Sequence, residues 1–328
     1  MKPFKSFLAN RLEEFLTYRH DLGLKESCAR ASLRRFDRYL VARDAGWQDL
    51  SPQFFLDFQR SIPGEGRIVN SFLSITNGFF KFMVRREYLT ENPLQDIPSK
   101  PENRYVPFIL SPENVDRLLH SIKAEIRQIE ERFFLDYSVY TTISLIARCG
   151  LRISEPLNLS VSSYRPQEKT IYIEKTKFHK DRLIPVPLNM AMDLENYLNL
   201  RSSASGDRNC NDREFLFPGT VPGKPLTSRS IYPVFQRALI QIGQDQPRRI
   251  LGTTTFGAPR IHSLRHSFAV STLNNIRKRG GDPQEGLPVL SSYMGHRKYS
   301  YTSLYLRMLD AEQHNNLVDF TLSHREEL

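Results

Sequence analysis

Apolar side chains recur at three- and four-residue steps through the first hundred residues of this 328-residue chain, the spacing that lays one apolar face along a helix. Phe7, Leu8, Leu12, Phe15 and Leu16 predict a helix over 5–20, and Leu33, Phe36 and Leu40 a second over 29–43. The longest stripe, Ile68, Phe72, Ile75, Phe79 and Phe82, predicts a helix over 67–86. Ser51-Pro52 marks a helix start, because a hydroxyl accepts from free N–H groups and proline suits the first helical position. The pattern stops before Pro93, which cannot continue a helix. Residues 97–104 hold Pro98, Pro101, Lys100, Glu102 and Arg104 with little apolar content. They predict a linker between a helical domain over 1–96 and a second domain over 105–328.

The second domain is mixed. Ser111-Pro112 repeats the cap signal, and an apolar stretch over 132–148 runs into Gly150, a residue suited to the left-handed turn that closes helices. Residues 170–174 and 182–187 are rich in β-branched side chains with a polar turn between them, which predicts a β-hairpin. Helices are expected over 188–201, 228–242, 263–277 and 287–294, and loops over 203–213 and 243–258. The expected fold class is mainly α with a small β-sheet, an α+β chain.

Hydrophobic residues make up 40% of the chain and aromatics 11%, enough for real cores, which excludes a disordered tail protein. No run of about 18 apolar residues occurs, so no membrane span is expected. Near the start, Asn10, Arg11, Glu13 and Glu14 interrupt the apolar core a signal peptide needs. Cys28, Cys149 and Cys210 are odd in number and far apart, which fits a reducing, cytoplasmic compartment better than a disulfide framework. The net charge of +10 is compatible with nucleic acid.

Two helix faces carry that charge. Opposite the apolar stripe of the 67–86 helix stand Arg67, Asn70, Ser74, Asn77, Lys81 and Arg85, at three- and four-residue steps with no acid among them. Arg30, Arg34 and Arg38 form a similar line over 29–43. A solvated helix face explains one such line, whereas two in one small basic domain point equally to DNA. There Arg and Lys would position phosphates while Asn and Ser could also read base edges.

The second domain also holds four short signatures in order. Gly150-Leu151-Arg152-Ile153-Ser154-Glu155 follows a helix. Lys175 to Arg182 forms the hairpin turn. His262-Ser263-Leu264-Arg265-His266 enters a helix, and Gly295-His296 precedes Tyr305 by nine residues (305 − 296). Each alone is weak; the ordered set in a basic chain is not. Over 150–305 the sequence resembles the tyrosine recombinase (phage integrase) family, and the helical first domain looks like that family's core-binding domain. The resemblance implies a tyrosine-recombinase catalytic domain in which Arg152, Lys177, His262, Arg265 and His296 surround the nucleophile Tyr305, with Glu155 supporting Arg152. Lys175 and Lys180 compete for the hairpin position, but Lys177 matches the family's placing of its lysine. Tyr299 and Tyr301 lie nearby, but only Tyr305 has the family's spacing from Gly-His.

The chemistry fits these residue types. Attack on a phosphodiester builds negative charge on non-bridging oxygens, and guanidiniums are permanently charged forked donors for them. A phenol of pKa about 10 needs a neighbouring base such as His262, or cationic surroundings, to ionise. A hairpin lysine could protonate the leaving 5′-oxygen, and His296 could donate to the phosphate. No cofactor or metal is expected: no closely spaced carboxylate–histidine set is found, and Gly252 to Gly257 lacks the Lys-Ser/Thr of a nucleotide loop. The resemblance implies site-specific strand exchange on double-stranded DNA through a 3′-phosphotyrosyl link and a Holliday junction, by a tetramer on two synapsed duplexes. The tail over 308–328 is long enough to dock on a neighbouring protomer or to pack on its own domain. Two alternatives stay open: a non-catalytic DNA-binding protein on the same fold, and a type IB topoisomerase-like or telomere-resolving enzyme.

Overall fold

The computed structural model describes residues 3–24, 26–174, 181–204, 214–296 and 299–309. Lys177 and the tail beyond 309 therefore lie outside the described residues. By contacts the chain divides into one compact unit of residues 1–104 with 252–254, and a second of 105–251 with 255–328.

Among the described residues the first unit is built on four α-helices: α1 (Ala9–Asp21), α2 (Glu26–Ala42), α3 (Pro52–Ser61) and α4 (Gly66–Arg85). Ser51 Oγ accepts from Phe54 N, the cap its sequence predicts. Interlocked rings form the core, with Phe36 against Phe55, Phe58 and Phe80 at centroid separations of 6.0, 5.1 and 5.9 Å. On α4 the buried face is set one residue along from the expected stripe. Val69, Leu73, Thr76, Phe80 and Met83 join Phe79 and Phe82 inside, while Ile68 is 49% exposed. A helix this rich in apolar residues offers two adjacent stripes, and the packing of its neighbours selects between them. The segment expected as a linker is strapped to this unit. Asn70 donates to Lys100 O (2.9 Å) and accepts from Lys100 N (2.8 Å), and Gln59 donates to Pro98 O (2.7 Å).

The second unit packs α5 (Pro112–Ala124), α6 (Glu130–Cys149), α7 (Leu188–Ala204) and α8 (Ser228–Gln241) around one apolar core. Ser111 caps α5 by accepting from Asn114 N at 3.2 Å. A small antiparallel sheet lies beside this core. β2 (Tyr164–Arg165) pairs with β3 (Thr170–Ile173), and β3 with β4 (Arg182–Pro185), in the register Ile171 opposite Ile184. That is the expected hairpin, one strand wider. The stretch 243–258, expected as loop, instead carries β5 (Arg249–Leu251) and β6 (Thr254–Phe256), which join β1 (Arg104–Val106) in the order β1-β6-β5. These strands are three residues long and β5 is fully exposed, so no alternating pattern announces them. The chain then forms α9 (Ile261–Lys278), α10 (Pro283–Met294) and α11 (300–309). No helix among the described residues is long and apolar enough to cross a membrane.

α9 is the element on which the second unit turns. It buries Leu264, Ala269, Val270 and Leu273, and also Ser263, Arg265 and Ser267. Gly150 ends α6 with φ +60°, and a Cβ there would meet the Phe268 ring of α9 at 2.4 Å. Gly150→Ala is therefore expected to destabilise the protein by about 2–5 kcal/mol, summing left-handed strain and overpacking. Urea denaturation checks this, and an unchanged midpoint would show that α6 and α9 do not pack so tightly there.

Candidate active site

Where α6 ends, the backbone turns so that Arg152 and Glu155 face each other. Glu155 Oε1 accepts from Arg152 Nη1 (2.9 Å), and Oε2 accepts from the Arg152 backbone N (2.8 Å) and from Arg182 Nη2 (2.8 Å). Arg265 Nη1 stands 4.0 Å from the same oxygen. Burial alone would raise this carboxyl, but the Arg182 hydrogen bond and charge, the Arg152 N–H and the Arg265 charge outweigh it and hold Glu155 below its usual range.

Arg265 is 1% exposed and clasps two helix ends, donating to Gly150 O at 2.6 Å and to Met294 O. Burial first, then the charge of Arg152, pulls its pKa down to about 9, so it remains charged at neutral pH. Arg152 Nη2 donates to Gly295 O at 2.7 Å. Gly295 closes α10 in the left-handed region (φ +60°) and turns the chain into His296.

Tyr305 lies on α11 and is 2% exposed. Its Oη is 2.9 Å from His266 Nδ1, and its ring stacks on that of His296 with centroids 6.3 Å apart. Burial pushes the phenol up to about 12, against an opposite pull from Arg265 and Arg152. His296 Nδ1 is held by Thr302 Oγ1 at 2.9 Å, and His262 packs edge-on to His266 with centroids 4.6 Å apart. His262 keeps an exposed face, yet desolvation of its ring and the charges of Arg265 and Arg152 lower it to about 4. Burial, reinforced by neighbouring arginines and histidines, lowers both His266 and His296 to about 3. All three imidazoles are thus neutral at pH 7, each with one N–H to donate and one nitrogen to accept.

The structure therefore gathers Arg152, Glu155, His262, Arg265, His296 and Tyr305 in one cluster of the second unit. Tyr299 and Tyr301 are 49% and 56% exposed. Three participants were not singled out from sequence. His266 was legible in principle, four residues beyond His262 and so on the same helix face. Arg182 and Thr302 touch partners far away in the chain or on another element, which no local pattern reveals.

The basic faces of the first unit divide. Arg67, Ser74, Lys81, Arg85 and Arg38 are exposed. Arg30 is turned to its own unit, held by Glu13 and Glu26. The Glu13 hydrogen bonds, with Glu26, raise its pKa above the usual guanidinium value despite burial. Asn70 is spent on Lys100 and Glu102, and Asn77 Oδ1 accepts from Asn92 at 2.7 Å. Arg85 donates to Tyr18 Oη at 2.6 Å, and Arg34 is half-buried.

A chain with this mixed α-rich fold, and with arginines, histidines and a tyrosine meeting in one cluster, fits the class of DNA-recombining enzymes. Residues 109–312 match the model of the phage integrase family, and the chain belongs to that family of tyrosine-type DNA recombinases. A protein of Sinorhizobium fredii described as an integrase/recombinase, y4rE, is 29% identical over 308 residues, 93% of either chain. The tyrosine recombinase XerD of Oceanobacillus iheyensis is 26% identical over 92% of this chain and 94% of its own. Among solved structures, XerH recombinase bound to a palindromic difH substrate superposes with a TM-score of 0.67 at 18% identity, covering 93% of this chain and 83% of that one. A lambda integrase dimer on a core site gives 0.61 at 14% identity, covering 90% and 96%.

Proposed function

We propose that this protein recombines double-stranded DNA at a specific site, with Tyr305 as nucleophile. The observation that carries the reading is the phenol hydroxyl hydrogen-bonded to His266, within the electrostatic reach of Arg152 and Arg265. The two guanidiniums bind the non-bridging oxygens of the scissile phosphate, where charge grows as phosphorus becomes five-coordinate. In the free protein the phenol keeps its proton. As the Tyr305 Oη–P bond forms, that oxygen becomes acidic and its proton passes to His266 Nδ1. The P–O5′ bond breaks, and the 5′-oxygen takes a proton from Lys177. Rejoining is the reverse: a 5′-hydroxyl attacks the 3′-phosphotyrosine, and the departing phenolate recovers its proton from His266. His262 and His296 hold the arrangement and donate to the phosphate.

The energy of the broken DNA bond stays in the phosphotyrosyl link, so resealing needs no nucleotide. Two such rounds on paired duplexes pass through a Holliday junction in a tetramer. The test uses a binding site selected from a randomised duplex pool, rebuilt as a nicked suicide substrate. A covalent protein–DNA band on denaturing gels supports the reading. Its absence on a tightly bound site favours a non-catalytic binder, and relaxation of supercoiled plasmid lacking the site favours a topoisomerase-like enzyme.

In the first unit, the DNA interface we propose runs along the exposed side of α4. Arg67→Ala with Lys81→Ala is expected to weaken binding and to reduce the slope of log K against log salt by about 2, roughly one for each phosphate no longer neutralised. Asn70→Ala is expected instead to loosen the 97–104 strap, with the salt slope unchanged. Binding titrations over a salt series measure both.

A further inference from the structure

Arg182 opens β4 five residues after the hairpin lysine (182 − 177), and its side chain is only 9% exposed. A buried guanidinium normally has every donor matched. Here Nη2 donates to Glu155 Oε2 at 2.8 Å and Nε to Tyr293 O at 2.9 Å, while Nη1 is buried without a hydrogen-bond partner among the described residues. Nη1 faces Gly295, where an added Cβ would lie 3.1 Å from it and 3.6 Å from Arg152 Nη1. Two guanidiniums thus converge on one glycine, and its carbonyl is the acceptor for Arg152.

We propose that Arg182 is a positioning residue for strand cleavage: by sharing Glu155 and backing Gly295, it seats Arg152 while leaving that guanidinium's charge free for the scissile phosphate. Arg152, Arg182 and Arg265 surround a single carboxylate, so Glu155 can fully compensate none of them. Were Arg182 absent, the Glu155–Arg152 pair would approach neutrality, and the phosphate would lose much of its attraction to Arg152. Arg182 also keeps Glu155 ionised. Glu155 is 8% exposed, and the groups facing its carboxyl are Arg152 from the turn after α6, Arg182 from β4, and Arg265 and His262 from α9. Burial is what opposes ionisation, and Arg182 is the foremost group that counters it. Removing it moves the carboxyl's titration upward, so protonation on the acid side would cost Arg152 its partner.

The proposal rests on the recombinase reading, and its test separates the two. Arg182→Gln, Arg182→Lys, Glu155→Gln and the Arg182→Gln/Glu155→Gln double variant are compared with the parent on the suicide duplex between pH 5 and 8.5. The expected result for Arg182→Gln is cleavage slower by about 10- to 100-fold with duplex affinity within about threefold, and a new fall in rate towards acid pH. Arg182→Lys keeps the charge and should lose most of that acid limb. The double variant should be no slower than the worse single one, because both substitutions act on one link. A parallel carbon-detected titration of the Glu155 carboxyl, which needs no activity, should move upward in Arg182→Gln. An unmoved Glu155 titration, an unaltered pH profile or multiplicative losses in the double variant would overturn the proposal. Absence of cleavage by the parent with a shifted Glu155 titration would instead count against the recombinase reading alone.

Discussion

Tyr305→Phe is expected to abolish the covalent protein–DNA complex while leaving duplex binding within a few-fold of the parent. The substitution removes one oxygen from a ring that is 2% exposed and packed beside His266 and His296, so the shape of the pocket is kept. What disappears is the only hydroxyl in contact with His266 among the described residues, at 2.9 Å. Removal of a nucleophile from a preorganised site costs on the order of 10⁴-fold or more in rate, below detection in a trapping gel. His266 Nδ1 left unpaired would cost about 1–3 kcal/mol, offset in part because the hydroxyl no longer has to be desolvated. Tyr299→Phe and Tyr301→Phe serve as controls and should trap at the parent rate, since those rings are half exposed. A covalent band from Tyr305→Phe would transfer the chemistry to another residue.

Local signals carried most of the fold. The capping serines Ser51 and Ser111, the left-handed Gly150 and the β-branched hairpin strands each rest on interactions within a few residues, and each stands where its pattern places it. What escaped depends on partners distant in the chain. The α4 face is decided by the rings packed against it rather than by its own period, so Ile68 is outside and Val69 inside. Strand β6 is sandwiched between β5 beside it in sequence and β1, about 150 positions earlier, a partner that no local pattern reveals. Arg30 looks like a free basic residue until Glu13, seventeen positions earlier, is seen to hold it. For the candidate site, resemblance to the family at four ordered motifs singled out Arg152, Glu155, Lys177, His262, Arg265, His296 and Tyr305; six of these stand together, and Lys177 lies outside the described residues. Hydrogen bonds across 111 or 27 positions, such as Arg182 to Tyr293 and to Glu155, leave no trace in spacing.

Arg152→Ala and Arg265→Ala should slow cleavage alike and differ in what else they break. In the proposed mechanism each removes one preorganised cation aimed at the developing charge, worth roughly 10²- to 10³-fold in the cleavage rate. Arg152 is 24% exposed at its side chain and lies at the edge of the Glu155 cluster, where Arg182 remains to hold the carboxylate. Its loss should leave folding within about 1 kcal/mol, the scale of a partly exposed ion pair. Arg265 is different, because its guanidinium is the pin between the end of α6 at Gly150 O and the end of α10 at Met294 O. Truncating it strands two buried carbonyls and opens a cavity the size of the side chain, so about 3–5 kcal/mol of stability should go with the activity. Arg265→Lys keeps a charge but cannot span both carbonyls, and should recover stability only in part and activity hardly at all. Single-turnover cleavage paired with urea denaturation reads both axes. Wild-type cleavage by Arg152→Ala would remove that guanidinium from the phosphate, and full stability in Arg265→Ala would mean that α6 and α10 are held together by something other than this side chain.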